Sequence, residues 1–336
     1  MANRGRANNV FYSPLANRYS LLAFALVAAS TTAFAQSWPQ RPVKVLVPFS
    51  AGGNIDVMGR LAASRLSEAF GQQFVVENRV GGNGIIATEA VVRAPADGYT
   101  LLWASASVIA IFPAITKVGY DPAKDLAPVS LFSTSPQVLI VNPKVPAKTV
   151  AEFVVYAKSQ KEELVYAGGG GPGSVSNLLM ATFLKRADLE MRNVSYRGTS
   201  IALSDVIAGH IPTMFIPISE ALPQARAGLI RILAVSSGTR NPQAPEVPTI
   251  AESGFPGYDF TSWTGLMAPA GTRKEIVERM AAELARAFKD PQFVANMQKA
   301  GLEPAADPSP AEFSAFIAKE IVRWGEAVKI AGVTLQ

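Results

Sequence analysis

The chain is 336 residues long, with 31 basic residues against 26 acidic ones, a single histidine and no cysteine. Without cysteine there is no disulfide, no thiolate chemistry and no site for a lipid-anchored cysteine, and one histidine leaves few ways to assemble a nucleophile–base pair or a zinc centre. The formal charge of +5 comes without a basic stripe, which argues against a nucleic-acid partner.

The first residues read as a targeting segment. Arg4, Arg6 and Arg18 make a positive start, Leu21 to Ala29 a short apolar run, and Ala33-Phe34-Ala35 an A-x-A cleavage site. The run is too short, and too broken by Ser30-Thr31-Thr32, to span a bilayer in the mature protein. Residues 1–35 are therefore expected to be removed after Ala35. Losing three arginines and no acid leaves 28 basic against 26 acidic residues. The product is expected to be a periplasmic monomer.

Beyond that point strand-like and helical patterns alternate, which predicts an α/β fold with parallel strands. The β-branched run Val43–Phe49 breaks into the turn Ala51-Gly52-Gly53, and Val57, Leu61, Leu66 and Phe70 continue as an amphipathic helix over Asp56–Phe70. Further strands are expected at Phe74–Glu77, Thr100–Ala104, Gln137–Val141, Leu164–Ala167, Val194–Tyr196, Thr213–Ile216 and Ile230–Val235. Helices are expected at Thr149–Ser159, Ser174–Lys185, Ser200–Ala208, Lys274–Lys289, Pro291–Ala300 and Pro310–Ala331. The last carries Phe313, Phe316, Ile317, Ile321 and Trp324 on one stripe, a core-packing face.

Two proline-bounded strands, Ser135–Pro143 and Ser262–Pro269, read as crossings between lobes. That divides the mature chain into lobe 1 (36–138 plus 260–336) and lobe 2 (139–259), hinged about a cleft. The strand–glycine turn–helix unit at Val43–Phe70 aims backbone N–H groups at an anion. It has neither the lysine of a P-loop nor a G-x-G-x-x-G, so a small carboxylate suits it better than a nucleotide.

Several segments together make a resemblance specific: WPQRPVKVLVPFSAGGNID, VVENRVGGNGIIATEAVVRAPADGYTLL, LIVNPKVPAKTVAEF, VPTIAESGFPGYD, SWTGLMAPAGT and the C-terminal RWGEAVKIAGV. In order, they run from Trp38 to Val333, from one end of the mature chain nearly to the other. The chain resembles the Bug-type solute-binding proteins, extracytoplasmic receptors of tripartite tricarboxylate transporters. The resemblance implies a two-lobed Venus-flytrap fold with two crossover strands, a small carboxylate as ligand and membrane permease subunits as partners. It implies no cofactor, no metal and no catalytic residue.

The same resemblance places the site. Phe49, Ala51, Gly52, Gly53 and Asp56 occupy the family's first binding loop, with the N–H groups of Gly52 to Asn54 facing the anion. Asp56 has two readings, a ligand contact or a charge that neutralises the helix N-terminus. Ser105 and Ser107 occupy the second loop. The third, Gly168 to Asn177, contributes Gly171, Ser174 and Asn177, the last at a position where relatives carry histidine. Arg197, in Tyr196-Arg197-Gly198, either pairs with a carboxylate or makes a surface salt bridge, and Asp205 follows in the next helix.

Ile55, Phe112, Ile216 and Ile218 stand where relatives are polar, and Trp103 offers an aromatic wall; either the ligand is an aromatic or otherwise apolar carboxylate, or these side chains point into the lobe cores and say nothing of the ligand. Two alternatives remain. One is a periplasmic sensor feeding a two-component system. The weaker one is a hydrolase, though no G-x-S-x-G elbow is present and His210 sits in a turn expected to be solvated.

Overall fold

In the computed structural model, which describes residues 38–169, 173–196, 198–299 and 302–333, the expected alternation becomes one ten-stranded sheet. The targeting segment with its cleavage site, Gly171 and Arg197 lie outside the described residues.

Val43–Val47 (β1) lies between Phe74–Asn78 (β2) and Thr100–Ser105 (β3), all parallel. Asn54–Phe70 (α1) links β1 to β2, and Ile85–Val92 (α2) precedes β3. One turn of π-helix, Ser107–Ile111, and the short helix Phe112–Ile115 (α3) follow β3. The pivotal element is Leu126–Val141 (β4), 16 residues long. Leu126 to Pro136 pairs antiparallel with Thr261–Pro269 (β9), which in turn pairs with β3. Gln137 to Val141 instead lies between Thr213–Pro217 (β7) and Arg231–Val235 (β8).

Beyond β7 the sheet continues through Val165–Gly169 (β5) and Arg192–Tyr196 (β6), both parallel to one another. The sheet thus has two segments that share β4, with the change of partner at Pro136-Gln137. Proline there has no N–H to give to a ladder, which suits a point where pairing switches.

Helices cover both segments: Val150–Ser159 (α4), Val175–Ala187 (α5), Thr199–Ala208 (α6), Ile218–Arg226 (α7), Lys274–Ala287 (α8), Pro291–Lys299 (α9) and Pro310–Ala331 (α10). Thr149, Ser174 and Ser309 cap α4, α5 and α10 with their hydroxyls. The apolar stripe of α10 packs as expected: Phe313, Ile317 and Trp324 are buried, with Phe316 and Ile321 against the same core. That core runs from Leu102 and Ile111 beside the first segment to Phe183 and Phe215 beside the second.

Of the two expected crossings, the first is β4 itself. The chain returns just before β9, through Ser236 to Phe260, so Ser262–Pro269 lies within the first segment rather than spanning the two. Ser236 ties the crossings together: its N–H donates to Gln137 O at 2.8 Å, its hydroxyl to Phe260 O at 2.7 Å, and Gln137 N–H returns a bond to that hydroxyl at 3.0 Å.

Candidate functional site

Where β4 leaves one segment for the other, a cavity of about 160 Å³ opens between them. The first segment contributes Ile55 and Met58 of α1, Ser105 at the end of β3 with Ala106 and Ser107 after it, Ser133 and Ser135 of β4, Ser262 to Thr264 of β9, and Leu302. Val175 and Pro217 reach it from the second segment.

The polar side is a row of hydroxyls set by strand register. Ser105 pairs with Thr264, Thr264 with Ser133, and Ser262 with Ser135, so the row crosses three adjacent strands. Side chains two residues apart share a sheet face, which brings Ser133 with Ser135 and Ser262 with Thr264 to the cavity. Ser133 and Thr264 bond each other at 3.0 Å. At the ends of the row, Ser105 and Ser135 are 3% and 7% exposed, and neither Oγ has a hydrogen-bond partner. A buried hydroxyl left without a partner costs about 1–3 kcal/mol, so two at one cavity single it out as the candidate site.

Three helices begin at the same place. Ile55 is the second residue of α1, Val175 the first of α5, and Pro217 the N-cap of α7. Their first N–H groups have no carbonyl one turn back, and their dipoles favour negative charge. Among the described residues, no lysine, arginine, histidine or carboxylate lines the cavity. What it can do is hold a small anion with neutral donors while Ile55, Met58, Val175, Trp263 and Leu302 cover the rest of the molecule.

The structure sorts the expected residues sharply. Ser105 and Ser107 line the cavity. Ala51, Gly52 and Gly53 form an exposed turn, with Gly53 capping α1 and Asn54 opening it. Gly52, at φ +81°, donates its N–H to Asp56 Oδ2 at 2.8 Å, so that amide turns inward instead of facing an anion. Asp56 is 2% exposed and also accepts from Arg60 Nε at 2.9 Å and Asn78 Nδ2 at 2.7 Å. It braces the turn and is not among the residues that line the cavity. Phe49 packs against the core, and its carbonyl accepts from Asn78.

Ser174 spends its hydroxyl on the α5 cap, accepting from Asn177 N at 3.3 Å. Asn177 is buried away from the cavity, where its Oδ1 accepts from Tyr166 and Asn193. Asp205 accepts from the Tyr196 hydroxyl at 2.5 Å and meets exposed His210 Nδ1 at 3.4 Å. The Tyr196 bond holds the Asp205 carboxyl below its usual range, and burial pushes Tyr196 up to about 12.

Of the apolar positions, only Ile55 lines the cavity. Ile216 and Ile218 lie in the core of the second segment, Trp103 is fully buried against Phe132, and Phe112 meets Gly173. The aromatic wall is Trp263 instead. Ser133, Ser135, Ser262 and Thr264 escaped the sequence reading. Their signal was the alternation S-T-S and S-W-T inside strands that are otherwise apolar.

Among the described residues no group of side chains is placed to hold a metal ion, and no helix is long and apolar enough to cross a membrane. The model of the tripartite tricarboxylate transporter family receptor, TctC, matches residues 58–333. Protein BugT of Bordetella pertussis is 33% identical over 320 residues, covering 94% of this chain and 96% of its own. A protein of R. palustris solved with adipate is 35% identical, with a TM-score of 0.77 over 89% of this chain and 99% of that one. MatC of Rhodopseudomonas palustris, solved with bound malate, is 31% identical, with a TM-score of 0.75 over 87% and 100%. The periplasmic binding protein BugD is 30% identical, with a TM-score of 0.75 over 89% and 100%.

Proposed function

We propose a function from one premise: this chain belongs to the TctC family of tripartite tricarboxylate transporter receptors. Within that family of solute-binding proteins, we infer a periplasmic receptor that takes a small carboxylate into the cavity at β4 and presents it to membrane permease subunits. The observation that carries the reading is the pair of buried hydroxyls without partners, Ser105 and Ser135, facing a cavity where three helices begin.

A carboxylate accepts from all directions and needs no cation when several donors converge. The bound adipate and malate of two structural relatives support this class of ligand. The apolar cover argues for a short aliphatic or single-ring body, since a cavity of this size admits about one ring. The change of partner in β4 and the return at Phe260 support two lobes, 36–138 with 260–336 and 139–259, moving about these crossings. Export with cleavage after Ala35, and a monomeric product, complete the proposal.

The test is a thermal-shift screen of the exported protein against mono-, di- and tricarboxylates. A ligand at a hundredfold excess over Kd adds about 2.7 kcal/mol of stability, a readily measured shift. Stabilisation by short carboxylates and not by matched neutral amides or sugars supports the reading. Stabilisation by none of the acids refutes it.

A further inference from the structure

Behind the cavity wall lies a buried carboxylate that recognition of an anion does not use. Trp263 lines the cavity and donates its indole N–H to Glu320 Oε2 at 3.0 Å. Trp324 donates to the same oxygen at 2.8 Å. The other oxygen, Oε1, accepts from Arg323 Nη1 at 2.9 Å, and Arg323 Nη2 reaches Asp259 Oδ2 at 3.2 Å. Asp259 Oδ1 in turn accepts the Gly238 amide at 2.7 Å. Gly238 and Asp259 sit near the two ends of the segment by which the chain returns from β8 to β9.

The Glu320 side chain is 1% exposed. Burial pushes its carboxyl up, against Arg323 and the two indoles. Apolar residues of similar volume often replace such a buried charge without loss of stability, so its presence asks for another reason. Geometry supplies one. The Trp263 indole is gripped edge-on by Phe313 and Phe316, at 5.6 and 5.7 Å between centroids. A ring in contact with two aromatic neighbours and bonded at its nitrogen has little freedom to move independently of Glu320.

We propose that Glu320 is a positioning residue that fixes the Trp263 wall of the cavity and, through Arg323 and Asp259, couples that wall to the return crossing between the sheet segments. Filling the cavity and setting the crossing are then one event. This rests on the cavity being the ligand site.

Two variants separate the links. Asp259→Asn keeps an oxygen for the Gly238 amide and removes the charge that Arg323 meets. Glu320→Gln keeps an oxygen for both indoles and turns an amide nitrogen toward Arg323. With fluorotryptophan incorporated, the Trp263 resonance is assigned by its loss in Trp263→Phe and followed by fluorine NMR without ligand. Both variants shift that resonance, whereas Arg240→Gln, which breaks the surface pair with Glu252 in the same segment, leaves it in place. Both also weaken adipate binding about threefold to tenfold, with non-additive effects in the double variant.

A Trp263 resonance unmoved by both variants overturns the proposal, as does a shift with adipate affinity unchanged. If the unmodified protein takes up no carboxylate, the functional reading fails on that arm while the ligand-free resonance still decides the coupling.

Discussion

The Gly52 amide donates to Asp56 Oδ2 at 2.8 Å, closing the first glycine turn on its own helix. Burial would raise the Asp56 carboxyl, but hydrogen bonds from Arg60, Gly52 and Asn78 outweigh it and hold the group below the usual carboxylate range. A depressed folded value stabilises above the unfolded value near 4 and is lost as pH falls through the folded one. Asp56→Ala should therefore cost about 2–3 kcal/mol at neutral pH, with the deficit shrinking below about pH 4. Urea midpoints of both chains across that range check it.

The unpaired hydroxyls predict effects of opposite sign. Without ligand, Ser105→Ala and Ser135→Ala remove buried groups with no partner and should leave stability unchanged or raise it by up to about 1 kcal/mol. With adipate, each should weaken binding roughly tenfold, about 1.4 kcal/mol. Melting curves and calorimetry on the same samples decide it. A variant that loses stability alone would mean the hydroxyls are structural.

Gly173, from the second segment, packs against the ring of Phe112, from the first, so closely that a Cβ would collide with it. Gly173→Ala should disfavour this arrangement of the segments and weaken adipate binding at least several-fold, and Phe112→Leu in the same chain should recover part of the loss. Small-angle scattering with and without adipate would follow the change in shape.

Much of the fold was legible because its periodicities were local. β1, α1 and α10 carry their own caps, breaks and apolar stripes, and the structure places them within a few residues of expectation. The first half of β4 was not legible. Pro128 and Pro136 bracket a hydroxyl-rich stretch that reads as a loop, and only pairing with β9 makes it a strand. α7 was hidden by Pro223 in its interior. In the site, Ser105 and Ser107 could be found because they follow a strand and match a family loop. The orientation of the polar residues in the expected loops was not legible, because it depends on hydrogen-bond partners that only the fold brings close. Asp56, Ser174 and Asn177 turn to their own backbone and neighbours.

The most direct test of a carboxylate held by neutral donors is calorimetric titration of the exported protein with adipate and with its diamide, which matches it in shape and lacks its charge. The helix N-termini and hydroxyls around the cavity predict saturable one-to-one binding of adipate and binding of the diamide at least about a hundredfold weaker, a difference of about 2.7 kcal/mol. Equal binding of acid and diamide, or no heat with either adipate or malate, would contradict the account.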